Sequence, residues 1–182
     1  MTAYGFGMYG WLGQFADPGE DQFSHRVSTE LGVNVGASPY QEYDVNNIVS
    51  AILALPPEVP VIVWGTSLGA NNAPVVAAYV HAQNPNRVIH GIWGFQASEY
   101  GANEGIPPNV LFAQLTSSDN PIPFPHLGSY RWVKAPGNAV TNLNLDTVND
   151  PHPGDGNVAV QNKYLAEMSR VIAAAGQAPN VA

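Results

Sequence analysis

The stretch that most constrains this chain is Val61-Ile62-Val63-Trp64-Gly65-Thr66-Ser67-Leu68-Gly69-Ala70. β-Branched and aromatic residues run into Gly-x-Ser-x-Gly, and a segment of small, helix-compatible residues follows. The expected order is strand, sharp turn, helix, which is that of a nucleophile elbow. Such a turn strains the backbone at Ser67 and leaves no room for side chains at Gly65 and Gly69. The serine hydroxyl then stands above the sheet edge, at the positive end of the following helix. In a chain with 18 glycines the five-residue motif also arises by chance. The strand and helix patterns on either side give it weight.

Elsewhere, short apolar runs alternate with helical patterns. This predicts an α/β fold with a mostly parallel central sheet covered on both faces, a three-layer αβα sandwich. At 182 residues the chain suits a single domain, 1–182. Residues 2–9 read as a glycine-rich first strand, 21–31 as a helix stopped at Gly32, and 33–37 as a short strand. Asp44 is placed to cap a helix that runs to about Leu55 and ends at Pro56-Pro57. Residues 59–64 are the central strand, and 70–82 the helix after the turn, with Pro74 early in it. Residues 87–95 and 109–115 read as further strands. The alternating segments 130–135 and 139–148, split by Pro136-Gly137-Asn138, read as a hairpin or two late strands. The last helix spans about 158–175, with Val158, Leu165, Met168 and Ile172 at helical spacing.

Charge narrows the function. Lys and Arg number only 6 against 14 acidic residues, a net charge of −8. Nothing here could neutralise a row of phosphates, so nucleic acid is not an expected partner, and attraction to an anionic membrane is disfavoured. Cysteine is absent, which excludes disulfides, thiolate metal sites and a cysteine nucleophile. The N-terminus shows neither a signal-peptide pattern nor a membrane span, which favours a cytoplasmic protein with no stable membrane anchor. Gly5-Phe6-Gly7-Met8-Tyr9-Gly10 spells the dinucleotide fingerprint Gly-x-Gly-x-x-Gly. It lacks a full strand before it and an uninterrupted helix after it, so no nucleotide cofactor is expected. No two histidines share an i, i+4 spacing, and no metal is expected.

A serine hydroxyl needs a base in hydrogen-bond reach, and the base needs an orienting acceptor. Of five histidines, His25 and His81 fall on helices and His90 in a strand, while His126 follows a proline-rich loop. His152 lies between two prolines, after the last strand and before the last helix, and is the favoured base. The acid should follow a strand end, where ligands of open α/β sheets gather. Asp119 does so, with Asp150 and Asp155 as rivals. The order Ser67, Asp119, His152 matches the hydrolase order. Negative charge developing on a carbonyl oxygen needs preorganised donors. The Leu68 backbone N–H is one. The segment Tyr9-Gly10-Trp11-Leu12-Gly13 should supply the other, with Trp11 as the candidate position.

With these residues in view, the sequence resembles the α/β-hydrolase superfamily, in particular its small lipase, esterase and cutinase-like members. Gly65-Thr66-Ser67-Leu68-Gly69 is similar to the family elbow, and Ser118-Asp119-Asn120-Pro121-Ile122-Pro123 to its acid segment. Asp150-Pro151-His152-Pro153-Gly154 sits where the family places its catalytic histidine. Gly7-Met8-Tyr9-Gly10-Trp11-Leu12-Gly13 is similar to the oxyanion segment, with Tyr9 in place of the usual histidine. The resemblance spans about residues 4–175. It implies a minimal α/β-hydrolase fold without the family's first antiparallel strand pair and without a large cap domain. The function it implies is a serine esterase, needing no cofactor, that acts on a small-molecule or lipid-like ester. Ile122, Phe124 and Leu127 would line an apolar acyl pocket with Trp11, and Phe95 would be core. The competing expectation is a catalytically inactive binding or structural protein on the same scaffold.

Overall fold

The computed structural model describes residues 2–11, 13, 18–98, 104–118, 130–149 and 154–177. Five strands form one sheet in the order β1 (Tyr4–Met8), β2 (Val61–Thr66), β3 (Gly91–Phe95), β4 (Phe112–Ser118) and β5 (Asn142–Val148). Every neighbouring pair of these strands is parallel. Among the described residues, four α-helices flank the sheet: α1 (Pro18–Leu31), α2 (Val45–Ala54), α3 (Leu68–Gln83) and α4 (Val158–Gln177).

Side-chain alternation along β2 explains how the helices are divided. All six residues of β2 are buried, as expected for a parallel strand covered on both faces. Val61 and Val63 join Phe6, Met8 and the apolar residues of α2 and α3 in one cluster. Ile62 and Trp64 join Phe23 and Val27 of α1, and Tyr164, Leu165 and Met168 of α4, in another. Period-2 alternation sends these two sets to opposite faces of the strand.

The glycines of β1 belong to this packing. A Cβ on Gly5 would stand 2.6 Å from the Trp64 ring, and one on Gly7 would stand 2.5 Å from its Nε1. Gly5 and Gly7 therefore make room for the indole on the neighbouring strand, and the fingerprint-like spelling has a packing cause. In α3, buried Gly69, Ala70, Ala73 and Ala77 let the helix lie close against the sheet. This helix begins two residues earlier than its sequence pattern predicts. Pro74 is consequently its seventh residue, inside the helix, where one intrahelical hydrogen bond is missing.

Two expectations fail at the sheet edges. Residues 33–37 form no full strand. Asn34 and Tyr40 make isolated parallel bridges to Tyr4 and Met8, and the Ser38 hydroxyl accepts the Gly7 N–H and donates to the Gly5 carbonyl. Of the hairpin or two late strands expected over 130–135 and 139–148, one strand forms: residues 142–148 are β5, parallel to β4, while 130–135 forms no strand beyond the isolated Lys134 bridge to Ile106. The turn at Pro136-Gly137 is real, with Gly137 at φ +79°. After it, however, the Asn138 side chain binds the carbonyls of Ile106 and Pro107, away from β5. Alternation in 139–148 reflects a half-exposed edge strand and carries no information about direction.

The chain leaves β1 towards the 34–40 edge, then returns past β1 to reach β2. The connections from β1 and β2 thus depart in opposite directions, a switch point of the kind at whose carboxyl strand ends open α/β sheets bind their ligands. At the opposite, amino-terminal edge, buried Arg87 donates to the carbonyls of Pro56, Pro57 and Val59 and fixes the entry to β2.

Candidate active site

Ser67 stands at that switch point, between the last residue of β2 and the first of α3. Its backbone has φ 54° and ψ −117°, a region that L residues rarely occupy and that surrounding structure must enforce. The enforcement is visible. The Ser67 N–H donates to the Phe95 carbonyl at 2.9 Å, and the Ser67 carbonyl accepts the Asn71 N–H at 3.2 Å. A Cβ on Gly65 would stand 2.5 Å from the Gly69 carbonyl carbon, and one on Gly69 would stand 2.5 Å from the Tyr9 carbonyl oxygen. Both motif glycines are therefore required by backbone crossing backbone. Asn71 also closes a two-way bridge to the backbone of Ser98, accepting its N–H and donating to its carbonyl, both at 2.8 Å. That bridge secures the segment after β3 against α3.

Leu68 is the first residue of α3, so its N–H is among those that a helix leaves without an intrahelical partner. After β1, Tyr9 is buried, its N–H bound to the Tyr40 carbonyl and its hydroxyl donated to Asp21. The Gly13 N–H returns to the Gly10 carbonyl at 3.2 Å, closing a tight turn in which Trp11 is 65% exposed. Phe95 lies in the core against Phe23 and Tyr164.

Asp119, His152, Ile122, Phe124 and Leu127 lie outside the described residues, as do Leu12, His126 and Asp150. The three described histidines lie away from Ser67. His25 is exposed on α1. His81 is near the far end of α3, about 20 Å along the helix from Leu68 at 1.5 Å per residue. His90 sits at the amino-terminal edge, where its Nδ1 accepts the Val61 N–H at 3.2 Å. Burial, with Arg87 nearby, lowers its pKa to about 4, so it is neutral at pH 7.

Sequence reasoning missed Glu20 and weighed Asp155 only as a rival to Asp119. Glu20, in the first turn of α1, is fully buried and accepts the Thr66 hydroxyl at 2.8 Å. Asp155 is also buried. Its carboxylate takes backbone N–H bonds from Glu20, Gly156 and its own residue, while burial pushes its pKa up to about 6. No signal in the sequence separates Glu20 from an ordinary first-turn acid placed to suit the helix dipole. Among the described residues, no three His, Asp or Glu side chains are grouped to hold a metal ion, and no helix is long and apolar enough to cross a membrane.

No protein-family model and no curated protein matches the sequence. Solved structures do match in shape. Human thioesterase 2 superposes with a TM-score of 0.59 at 9% identity, covering 98% of this chain and 100% of its own. ClbQ from the colibactin NRPS/PKS pathway gives 0.58 at 7% identity, covering 97% and 99%. An arylesterase gives 0.55 at 12% identity, covering 94% and 76%. At such identities the likeness is one of fold, and the fold is that of the α/β-hydrolases.

Proposed function

We propose that this protein is a serine hydrolase that cleaves carboxylic esters, a single three-layer α/β/α domain without a large cap. Ser67 is the nucleophile, His152 the general base and Asp119 the acid that orients the imidazole. The Ser67 hydroxyl attacks the ester carbonyl while His152 takes its proton. That proton leaves on the alcohol, and water, activated by the same imidazole, releases the acid from the acyl-enzyme. The Leu68 N–H and a donor from the Trp11 turn are proposed to stabilise the oxyanion. Ile122, Phe124 and Leu127 are the proposed acyl-pocket residues.

The observation that carries this reading is the backbone of Ser67, held at φ 54° between two glycines that admit no Cβ, at the carboxyl end of β2. Strain of this kind persists where function uses it. The shape shared with a thioesterase and an arylesterase supports ester or thioester cleavage as the reaction class. A fluorophosphonate probe tests the proposal. Wild type should label covalently and Ser67→Ala should not. An unlabelled wild type, or a labelled Ser67→Ala, would remove the enzyme reading and leave the binding-protein one. A series of p-nitrophenyl esters from short to long acyl chains then defines the acyl preference.

A further inference from the structure

The first turn of α1 is tied to three separate segments around Ser67. Glu20 accepts the Thr66 hydroxyl through Oε2 at 2.8 Å and the Ser24 hydroxyl through Oε1 at 3.4 Å. Its neighbour Asp21 accepts the Tyr9 hydroxyl. The Glu20 N–H is bonded to the Asp155 carboxylate, which also accepts the Gly156 N–H at 3.0 Å. Thr66 is the residue before Ser67, Tyr9 is the residue after β1, and Asp155 follows position 152 by three residues. The approach is close throughout. A Cβ on Gly19 would stand 2.6 Å from the Asp155 carbonyl carbon, and one on Gly7 would stand 2.9 Å from Glu20 Oε1.

A carboxylate that served only the helix dipole would do so at the surface, where it keeps its hydration. Burying one is costly unless specific bonds compensate. Glu20 is fully buried, and its bond to Thr66 reaches across 46 residues of chain to the segment that bears the strained serine. The backbone of Ser67 is fixed on one side by Phe95 and Asn71. The residue before it is fixed from the α1 side by Glu20. A strained turn stays strained only while its surroundings over-determine it.

We propose that the first turn of α1 is the positioning element of this site, with Glu20 and Thr66 as positioning residues that set the Ser67 hydroxyl. The inference rests on reading Ser67 as the nucleophile. Neither residue touches substrate; each acts through the backbone at position 67. Without the Thr66 hydroxyl, Glu20 loses its anchor to the turn, and a displacement of about 1 Å at a reacting atom can lower a rate by up to about 100-fold.

The test is the inactivation kinetics of the whole chain with a fluorophosphonate, separating the maximal rate from the probe's apparent affinity, with the thermal midpoint recorded for each variant. Thr66→Val removes the hydroxyl at nearly constant volume and should lower the maximal labelling rate about tenfold or more, leaving the apparent affinity unchanged. Thr66→Ser keeps the hydroxyl and should restore the rate. A merely structural threonine would lower the midpoint and leave the labelling rate of the folded fraction alone. If Thr66→Val does not fold, Thr66→Ala is read in the same way. A folded hydroxyl-less variant that labels like wild type, or a loss that serine does not rescue, overturns the positioning role and leaves the proposed function standing. A wild type that never labels overturns both.

Discussion

Gly69 lies so close beneath the end of β1 that a Cβ on it would stand 2.5 Å from the Tyr9 carbonyl oxygen and 2.8 Å from the Met8 carbonyl carbon. Met8 is fully buried and paired in the sheet with Gly65, so neither backbone can yield without disturbing the other. Gly69→Ala should therefore cost about 1–3 kcal/mol of stability, as overpacking does. It should also reduce labelling, because it pushes the Tyr9 segment away from Ser67. Urea denaturation and probe labelling read the two effects. Gly176→Ala, with open space around the added methyl, is the control and should be neutral or slightly stabilising. Equal stability for Gly69→Ala and wild type would contradict this close approach.

The strain at Ser67 makes a prediction of opposite sign. Glycine occupies positive φ without steric penalty, so Ser67→Gly should raise the free energy of unfolding by about 1 kcal/mol while abolishing labelling. Ser67→Ala keeps a Cβ in the same strained region and should lose labelling without that gain. The three thermal midpoints, measured side by side, check it. A Ser67→Gly midpoint at or below that of Ser67→Ala would mean the turn carries no strain to relieve.

Much of this arrangement was legible in the sequence because it depends on local pattern. The run Val61–Trp64, the two glycines around Ser67 and Gly32 after α1 each have a short-range cause, and each stands where the pattern predicts. The direction of β5 was not legible, because an exposed edge strand alternates in the same way whether its partner is parallel or antiparallel. The start of α3 falls at Leu68, two residues before the predicted residue 70, so Pro74, read as early in the helix, is its seventh residue. Gly5 and Gly7 were legible only as a motif. Their purpose depends on Trp64, which meets them across the sheet. The burial of Glu20 escaped notice for the same reason, since its partner Thr66 is 46 positions away.

Two buried titratable groups should bend the stability profile in opposite directions. Asp155 is raised from 3.8 to about 6 by burial, against the opposing effect of its backbone N–H partners. Between those values the folded state holds more protons than the unfolded state. The Asp155 contribution is therefore fully present below about pH 4 and lost as pH rises through 6. His90 is lowered from 6.5 to about 4, so its contribution is present above 6.5 and lost as pH falls through 4. Relative to wild type, Asp155→Asn should gain stability from pH 4 to 6, and His90→Gln should gain it from pH 6.5 down to 4. Urea midpoints across this range give the two difference curves. Slopes of the same sign would refute the assignment.

The distribution of charge predicts which acyl donors the proposed enzyme accepts. Glu20, Asp21 and Asp155 gather at the first turn of α1, beside the segments that carry Thr66 and Tyr9. The chain has only six cationic side chains, and five of them are held by partners. Arg26 binds Glu30, Gln161 and Asn162, and Arg87 is buried at the amino-terminal edge. Arg131 holds the Asp146 carbonyl, and Lys163 pairs with the Asp146 carboxylate. Arg170 pairs with Glu167 over the Phe112 ring, and Lys134 is exposed. A donor that carries several phosphates, such as an acyl-coenzyme A, would approach against the field of these carboxylates, of which Glu20 and Asp155 are buried and Asp21 is exposed. Repulsion of this kind slows encounter and is screened by salt. A neutral p-nitrophenyl or glycerol ester should therefore be cleaved with a higher kcat/KM than the coenzyme A thioester of the same acyl chain. Raising salt from about 0.02 to 0.5 M should increase kcat/KM for the thioester and leave the neutral ester unchanged. A thioester preference that weakens with added salt would place a cationic docking site near Ser67 and contradict this reading of the surface.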